Sequence, residues 1–289
     1  MDSKQLKWVY LITLALIWGS SFILIKKGLV GLTPMQLGSL RIIFAALFLL
    51  LIGFKSLTKI PHIKWKYIAL TATLGTFIPA YLFAIAQTQI DSTVSSILNS
   101  LTPLNTLIFG VFVFGLSFRR PQVFGVFIGL IGTFLLIING AFHHPEQNYY
   151  YAILIIIASL CYAINVNLIK KYLSDLSPLS ITTGNFLVLL LPALFVLFYS
   201  GFYEVIAVES VQHSVLFILI LGVVGTGVAN IIFFRIIQIS SPVFATSVTY
   251  LIPVVAFGWG LLDNEMLTPV QFLGAFIILF GVYLSAKKE

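Results

Sequence analysis

Charge is scarce in this chain: only 9% of its 289 residues are Asp, Glu, Lys or Arg, while 60% are apolar. Soluble domains usually carry about 25% charged residues. That much apolar surface cannot be hidden from water in a fold of this size, so an integral membrane protein is implied and a soluble one excluded. Cysteine is nearly absent. Cys161 stands alone in an apolar run, so no intramolecular disulfide is possible. Histidine is confined to His62, His143, His144 and His213, all in or beside connecting segments. The pair His143 and His144 with Glu146 reads as loop surface rather than a metal site, and no metal or other cofactor is expected. The chain has no Ser/His/Asp set, no CxxC pair and no phosphate-cradling glycine loop, so nothing points to an enzyme. No Asp or Glu falls in mid-span. Proton-driven exporters commonly use such a carboxylate as relay, so solute movement without proton coupling is expected.

What the chain has instead is long apolar runs. A bilayer-crossing helix needs roughly 20 apolar residues, and ten segments qualify: 8–26, 34–53, 66–87, 92–115, 121–139, 150–169, 178–200, 213–236, 241–262 and 268–286. The first is too long for a signal-peptide core of about 7–15 residues and no A-x-A-like site follows, so it reads as an uncleaved span. The connections are too short for a soluble domain. The net charge of +7 does not mark a nucleic-acid binder, because the cations lie between the apolar runs. With the N-terminus inside, the inner segments hold Lys4, Lys7, Lys55, Lys59, Lys64, Lys66, Arg119, Arg120, Lys170, Lys171, Lys287 and Lys288, with Arg235 near an inner end. The outer segments hold only Lys26 and Lys27, and the acids Asp91, Glu146, Glu204, Glu209, Asp263 and Glu265. This bias places both termini in the cytoplasm and makes the lipid bilayer the partner.

The chain repeats itself. LIKK at 24–27 recurs at 168–171, and Pro34 matches Pro178 at the same offset of 144. Gly75-Thr76 matches Gly225-Thr226, and Pro103 matches Pro253, at an offset of 150. Gln122, Gly125 and Gly132 match Gln271, Gly274 and Gly281 at 149. Two halves follow, 1–141 and 142–289, each with five spans. An odd number of spans inverts the second half relative to the first. Inverted repeats around one central site are the architecture of alternating access.

These residues resemble a known family. WGSSF at 18–22, Pro34 with Arg41 in RIIFAA, Pro103, and NEMLTPVQFLGAFIILFGVYL at 264–284 look like the EamA family of the drug/metabolite transporter superfamily. The resemblance covers nearly the whole chain, once per half. It implies an all-α fold of ten helices in two repeats, and transport of small metabolites, often export of amino acids or related compounds, across the cytoplasmic membrane. Two departures stand out. The family often has Glu between its fourth and fifth spans and again between its ninth and tenth; Glu265 fills the second place, but Leu116 occupies the first. Arg41 aligns with Asn185 in the second half.

The candidate substrate contacts come from polar residues inside spans. In STVSSILNSLTPLNT, Ser92, Ser95, Asn99, Thr102 and Thr106 fall at the 3–4 spacing of one helix face. The second half offers Thr246, Thr249 and Tyr250 before Pro253. Trp18 and Ser21 align with Tyr162 and Asn165, and Thr76 with Thr226, next to Asn230. Single Ser and Thr residues also serve helix packing. Buried amides need more partners than packing supplies, so Asn99, Asn165 and Asn230 point to a wet cavity. Pro103 and Pro253 read as helix breaks that expose carbonyls to a substrate, or as kinks healed by neighbours. Arg41 is the one charge well within a span. It reads as an interhelical or snorkelling arginine near the outer face, or as an anion contact. A phosphorylated-sugar or nucleotide-sugar carrier would need several cations in its pocket. A membrane-embedded lipid-modifying enzyme would need converging acids or histidines, which are missing. The oligomeric state stays open.

Overall fold

The structure is a computed structural model and describes residues 3–90, 92–117, 119–141, 148–262 and 269–286. Asp91, His143, His144, Glu146, Asp263, Glu265, Lys287 and Lys288 lie outside the described residues, and with them the loop-histidine reading and most of the acid-bearing loops. Every regular element among the described residues is helical. Six helical stretches are long and apolar enough to cross a membrane: Gln5–Gly28, Pro34–Lys59, His62–Ala86, Ala152–Tyr172, Pro178–Tyr199 and Glu209–Ile239. Thr102–Phe112, Arg120–Gly132 and Pro242–Val255 are apolar but shorter.

In chain order the helices are α1 (Ser3–Gly28), α2 (Pro34–Gly53), α3 (Trp65–Ala72), α4 (Ile78–Ala86), α5 (Ser92–Asn99), α6 (Thr102–Phe112), α7 (Arg120–Ala141) and α8 (Ala152–Tyr172). They continue as α9 (Pro178–Tyr199), α10 (Phe202–Val205), α11 (Glu209–Gly222), α12 (Ala229–Ile239), α13 (Pro242–Thr246), α14 (Val248–Leu262) and α15 (Pro269–Ala286). A π-helical segment, Thr73–Phe77, joins α3 to α4, and another, Val223–Val228, joins α11 to α12.

Local chemistry explains where several helices start. Thr33 and Ser177 each stand one residue before a proline and cap the helix that follows. A side-chain oxygen satisfies an orphan N–H, and proline suits the first turn because it has no N–H to lose. Thr33 Oγ1 accepts from Gln36 N at 3.3 Å, and Gln36 Oε1 accepts from Thr33 N at 3.0 Å, which closes a capping box. Ser177 Oγ accepts from Ser180 N at 3.0 Å. Ser241 repeats the device before Pro242, accepting from Phe244 N at 3.2 Å.

Packing exchanges partners between the halves. α1 lies against α14, and α8 against α5 and α6. α1 also lies against α11 and α12, and α8 against α3 and α4. Two further large contacts join like with like: α2 with α9, and α7 with α15. Close approach of the last pair depends on glycine. A Cβ on Gly281 would stand 2.6 Å from Gly129 N and 2.7 Å from Gly125 O, a small-residue contact of the kind that brings membrane helices together. Leu51, Phe54, Leu191 and Phe195 are exposed on the outside of the bundle, an apolar surface that suits acyl chains and not water.

Candidate functional site

A cavity of about 80 Å³ opens between the two halves. Since ~10–15 Å³ of such space holds one water, it has room for several waters or a small solute. Trp18 and Ser21 reach it from α1, Arg41 from α2, Thr76 from the first π segment, and Asn99 and Thr102 from the two sides of the α5–α6 interruption. The second half supplies Tyr162 and Asn165 from α8, Thr226 from the second π segment, Asn230 from α12, Thr246 from α13 and Thr249 from α14. Residues as far apart in the chain as Trp18 and Thr249 thus share one space.

The two π segments shape the middle of the cavity. A π turn widens the helix by one residue and often sits at functional positions. Here each provides a glycine against which the opposite half closes. Trp18 Nε1 donates to Gly225 O at 3.1 Å, and Ser21 Oγ lies 2.9 Å from where a Gly225 Cβ would be. On the other side, a Cβ on Gly75 would overlap the Asn165 amide. Trp18 and Ser21 are the sequence counterparts of Tyr162 and Asn165, so the contacts are reciprocal. Neither glycine has positive φ; both are needed for space.

The hydroxyl groups have a common polarity. Ser21 Oγ donates to Ile17 O at 2.9 Å, Thr102 Oγ1 to Asn99 O at 2.6 Å, Thr246 Oγ1 to Pro242 O at 3.0 Å and Thr249 Oγ1 to Thr246 O at 2.9 Å. Their hydrogens are committed to backbone carbonyls three or four residues back, which leaves lone pairs for a solute. Asn230 is free of protein partners among the described residues and offers both donor and acceptor.

Arg41 lies against this cavity. Its Nε donates to Thr226 Oγ1 at 2.7 Å, across the boundary between halves. It is interhelical, as expected, and it borders the cavity. Its counterpart Asn185 is shorter and stops a turn earlier, with its amide 3.0 Å from the Thr71 hydroxyl.

Several expectations change. Pro103 sits at the start of α6, where a proline is well tolerated, and the chain turns at Ser100–Leu101 just before it. Pro253 does not break its helix: α14 runs through it, and the interruption lies at Ser247. The carbonyls that the prolines leave without an N–H have partners within the protein. The Asn99 carbonyl accepts from Thr102 Oγ1, and the Thr249 carbonyl from Ser100 Oγ at 3.0 Å. The polar stripe divides for the same reason: the turn at Ser100–Leu101 ends the single-helix register on which it was read. Asn99 and Thr102 line the cavity, while Ser95 and Thr106 are fully buried away from it. Ser95 Oγ has no partner among the described residues. Tyr250 also lies outside the lining. It follows Thr249 and therefore points about 100° away around α14, where its hydroxyl donates to Val126 O at 3.1 Å and its ring covers Gly129.

Sequence reasoning missed the apolar walls: Phe22, Ile25, Ala80, Phe83, Phe233 and Ile252. An apolar residue in an apolar run carries no mark of which way it faces.

Comparisons with known proteins cover nearly the whole chain. The sequence profile of the EamA-like transporter family matches residues 6–138 and again residues 150–287. An uncharacterized inner membrane transporter, YedA of Escherichia coli K12, is 27% identical over 281 residues, covering 95% of this chain and 88% of its own. A probable amino-acid metabolite efflux pump of Salmonella typhimurium is 25% identical over 291 residues, covering 93% and 91%. An uncharacterized transporter of Archaeoglobus fulgidus is 26% identical over 289 residues, covering 98% and 99%. A solved crystal structure, 14% identical, superposes with a TM-score of 0.74 over 96% of this chain and 94% of its own, which is a likeness of fold.

Proposed function

We propose, for a chain that belongs to the EamA-like transporter family, that the cavity between its halves is where the solute is held during transport. The protein is a multi-pass membrane transporter of small metabolites within the drug/metabolite transporter superfamily, and not an enzyme. In our reading it crosses the cytoplasmic (inner) membrane with ten helices, arranged as two inverted five-helix repeats over residues 1–141 and 142–289. Both termini lie in the cytoplasm. The halves rock about the cavity and expose it to each side in turn, and export of amino acids or related metabolites is the expected use. Supporting this are the two family matches, the exchange of packing partners between halves and the naming of relatives as efflux pumps.

The observation that carries the proposal is convergence. Trp18, Ser21, Thr76, Asn99, Thr102, Tyr162, Asn165, Thr226, Asn230, Thr246 and Thr249 were singled out as polar groups stranded in apolar runs, and all of them border the same cavity. The test is flux of a metabolite panel in proteoliposomes. Asn99→Ala and Asn230→Ala should each slow transport of the active solute about tenfold, the value of one or two hydrogen bonds. Wild-type flux in both variants would remove the cavity from the transport path.

A further inference from the structure

We infer that Arg41 is a carboxylate receptor, so that the solute carried in this cavity bears a carboxylate group. This rests on the transport reading and narrows its substrate class. Among the described residues Arg41 is the one charged side chain in the cavity lining; the others there are hydroxyl, amide, aromatic, aliphatic or glycine. No carboxylate lies within ion-pair distance of it among the described residues. Of its five N–H donors, only that on Nε has a protein partner among those residues, the Thr226 hydroxyl at 2.7 Å. The terminal nitrogens are not sealed in protein: they are absent from the buried polar atoms left without partners, and the side chain keeps accessible surface.

A cation held away from bulk water without a counter-charge is costly, and a guanidinium whose terminal edge is open matches the two oxygens of a carboxylate. Thr226 holds Nε, so the fork is already oriented before a solute arrives. Charge balance decides between anions. One guanidinium neutralises one carboxylate, whereas a phosphate dianion would be left half-compensated among neutral groups. Phe22, Phe83 and Phe233 then take an apolar body. The hydroxyl lone pairs could also receive an ammonium, so a plain organic acid and an amino-acid zwitterion share the same anchor.

The test is equilibrium binding to the full-length protein in lipid nanodiscs, with probes built on one phenyl body. Phenylacetate and L-phenylalanine present the carboxylate, while phenylacetamide, phenethylamine and phenyl phosphate do not. At least one carboxylate probe should bind about tenfold or more tighter than the other three, the range for a hydrogen bond to a charged group. The two carboxylate arms separate plain acid from amino acid. Arg41→Gln should erase the acid-over-amide preference, and Arg41→Lys should retain part of it. A readout without mutation guards against misfolding: bound phenylacetate should shield Arg41 from phenylglyoxal, and phenylacetamide should not. A purely structural arginine would show neither effect. Equal binding of acid and amide, a preference that survives Arg41→Gln, tighter binding of phenyl phosphate, or no carboxylate binding at all would overturn the inference. Proteoliposome flux separates it from the reading beneath it. Arg41-independent flux of the amide would leave transport standing and end the carboxylate assignment. Arg41-dependent binding without flux would do the reverse.

Discussion

A proline in the body of a membrane helix leaves the carbonyl four residues back without its N–H, and hydrocarbon offers no water to replace it. In α14 that carbonyl belongs to Thr249, and Ser100 Oγ on the other half supplies the missing donor. A single hydroxyl therefore makes Pro253 tolerable. Ser100→Ala should destabilise the protein by about 1–3 kcal/mol, the cost of an unsatisfied buried acceptor. Pro253→Ala restores the helix's own N–H, so the double variant should recover most of that loss. Thermal unfolding in detergent micelles reads both; equal losses in the single and double variants would show that the carbonyl finds another partner.

Between elements, shape outweighs polarity. α7 and α15 carry few polar side chains, and their contact is set by Gly125, Gly129 and Gly281. Gly281→Ala would place a methyl against the α7 backbone, which cannot step aside as a side chain would. A loss of about 1–3 kcal/mol is expected from overpacking, seen as a lowered melting temperature, and an unchanged one would mean that the helices separate freely. Gly75 differs, because its neighbour is the movable Asn165 amide. Gly75→Ala should leave stability nearly intact and slow transport, since the amide must turn within the cavity. The outcome that would count against this is the opposite pattern, a lower melting temperature with normal flux.

For the molecule as a whole, the cavity matters only if the two halves hold together at one end and part at the other. One end is clasped. Lys64 pairs with Asp175 and donates to Tyr172 O at 3.1 Å, and the Tyr67 and Tyr172 rings stack at 4.3 Å. The hydrogen bond from Lys64 holds the Asp175 carboxyl below its ordinary range, outweighing a slight opposing effect of burial. Because the folded-state pKa is depressed, this tie is in force above the unfolded value of about 3.9 and is lost as pH falls through the folded one. The pair is exposed, so it is worth under ~1 kcal/mol. The stability difference between wild type and Asp175→Asn should accordingly be small at pH 6 and shrink as pH falls through the folded-state value; a difference that grows on acidification would assign the effect to other groups. Sidedness has its own check. In a Cys161→Ser background, cysteines at Lys59 and Val30, both exposed, should react with impermeant maleimide from the cytoplasmic and outer faces respectively.

Membrane residence, the family and most of the polar residues that line the cavity were legible in the sequence, because hydrocarbon penalises each polar group it must hold and so makes every exception informative. Asn99, Asn165 and Asn230 stood out on that ground alone. Tertiary structure decided what depends on rotation about a helix axis and on who stands opposite: that Tyr250 turns to α7, that Arg41 faces the cavity, and that Pro253 is repaired by Ser100. Those are contacts between residues up to 185 positions apart, and the side-chain pattern of one run says nothing about the neighbour it will meet.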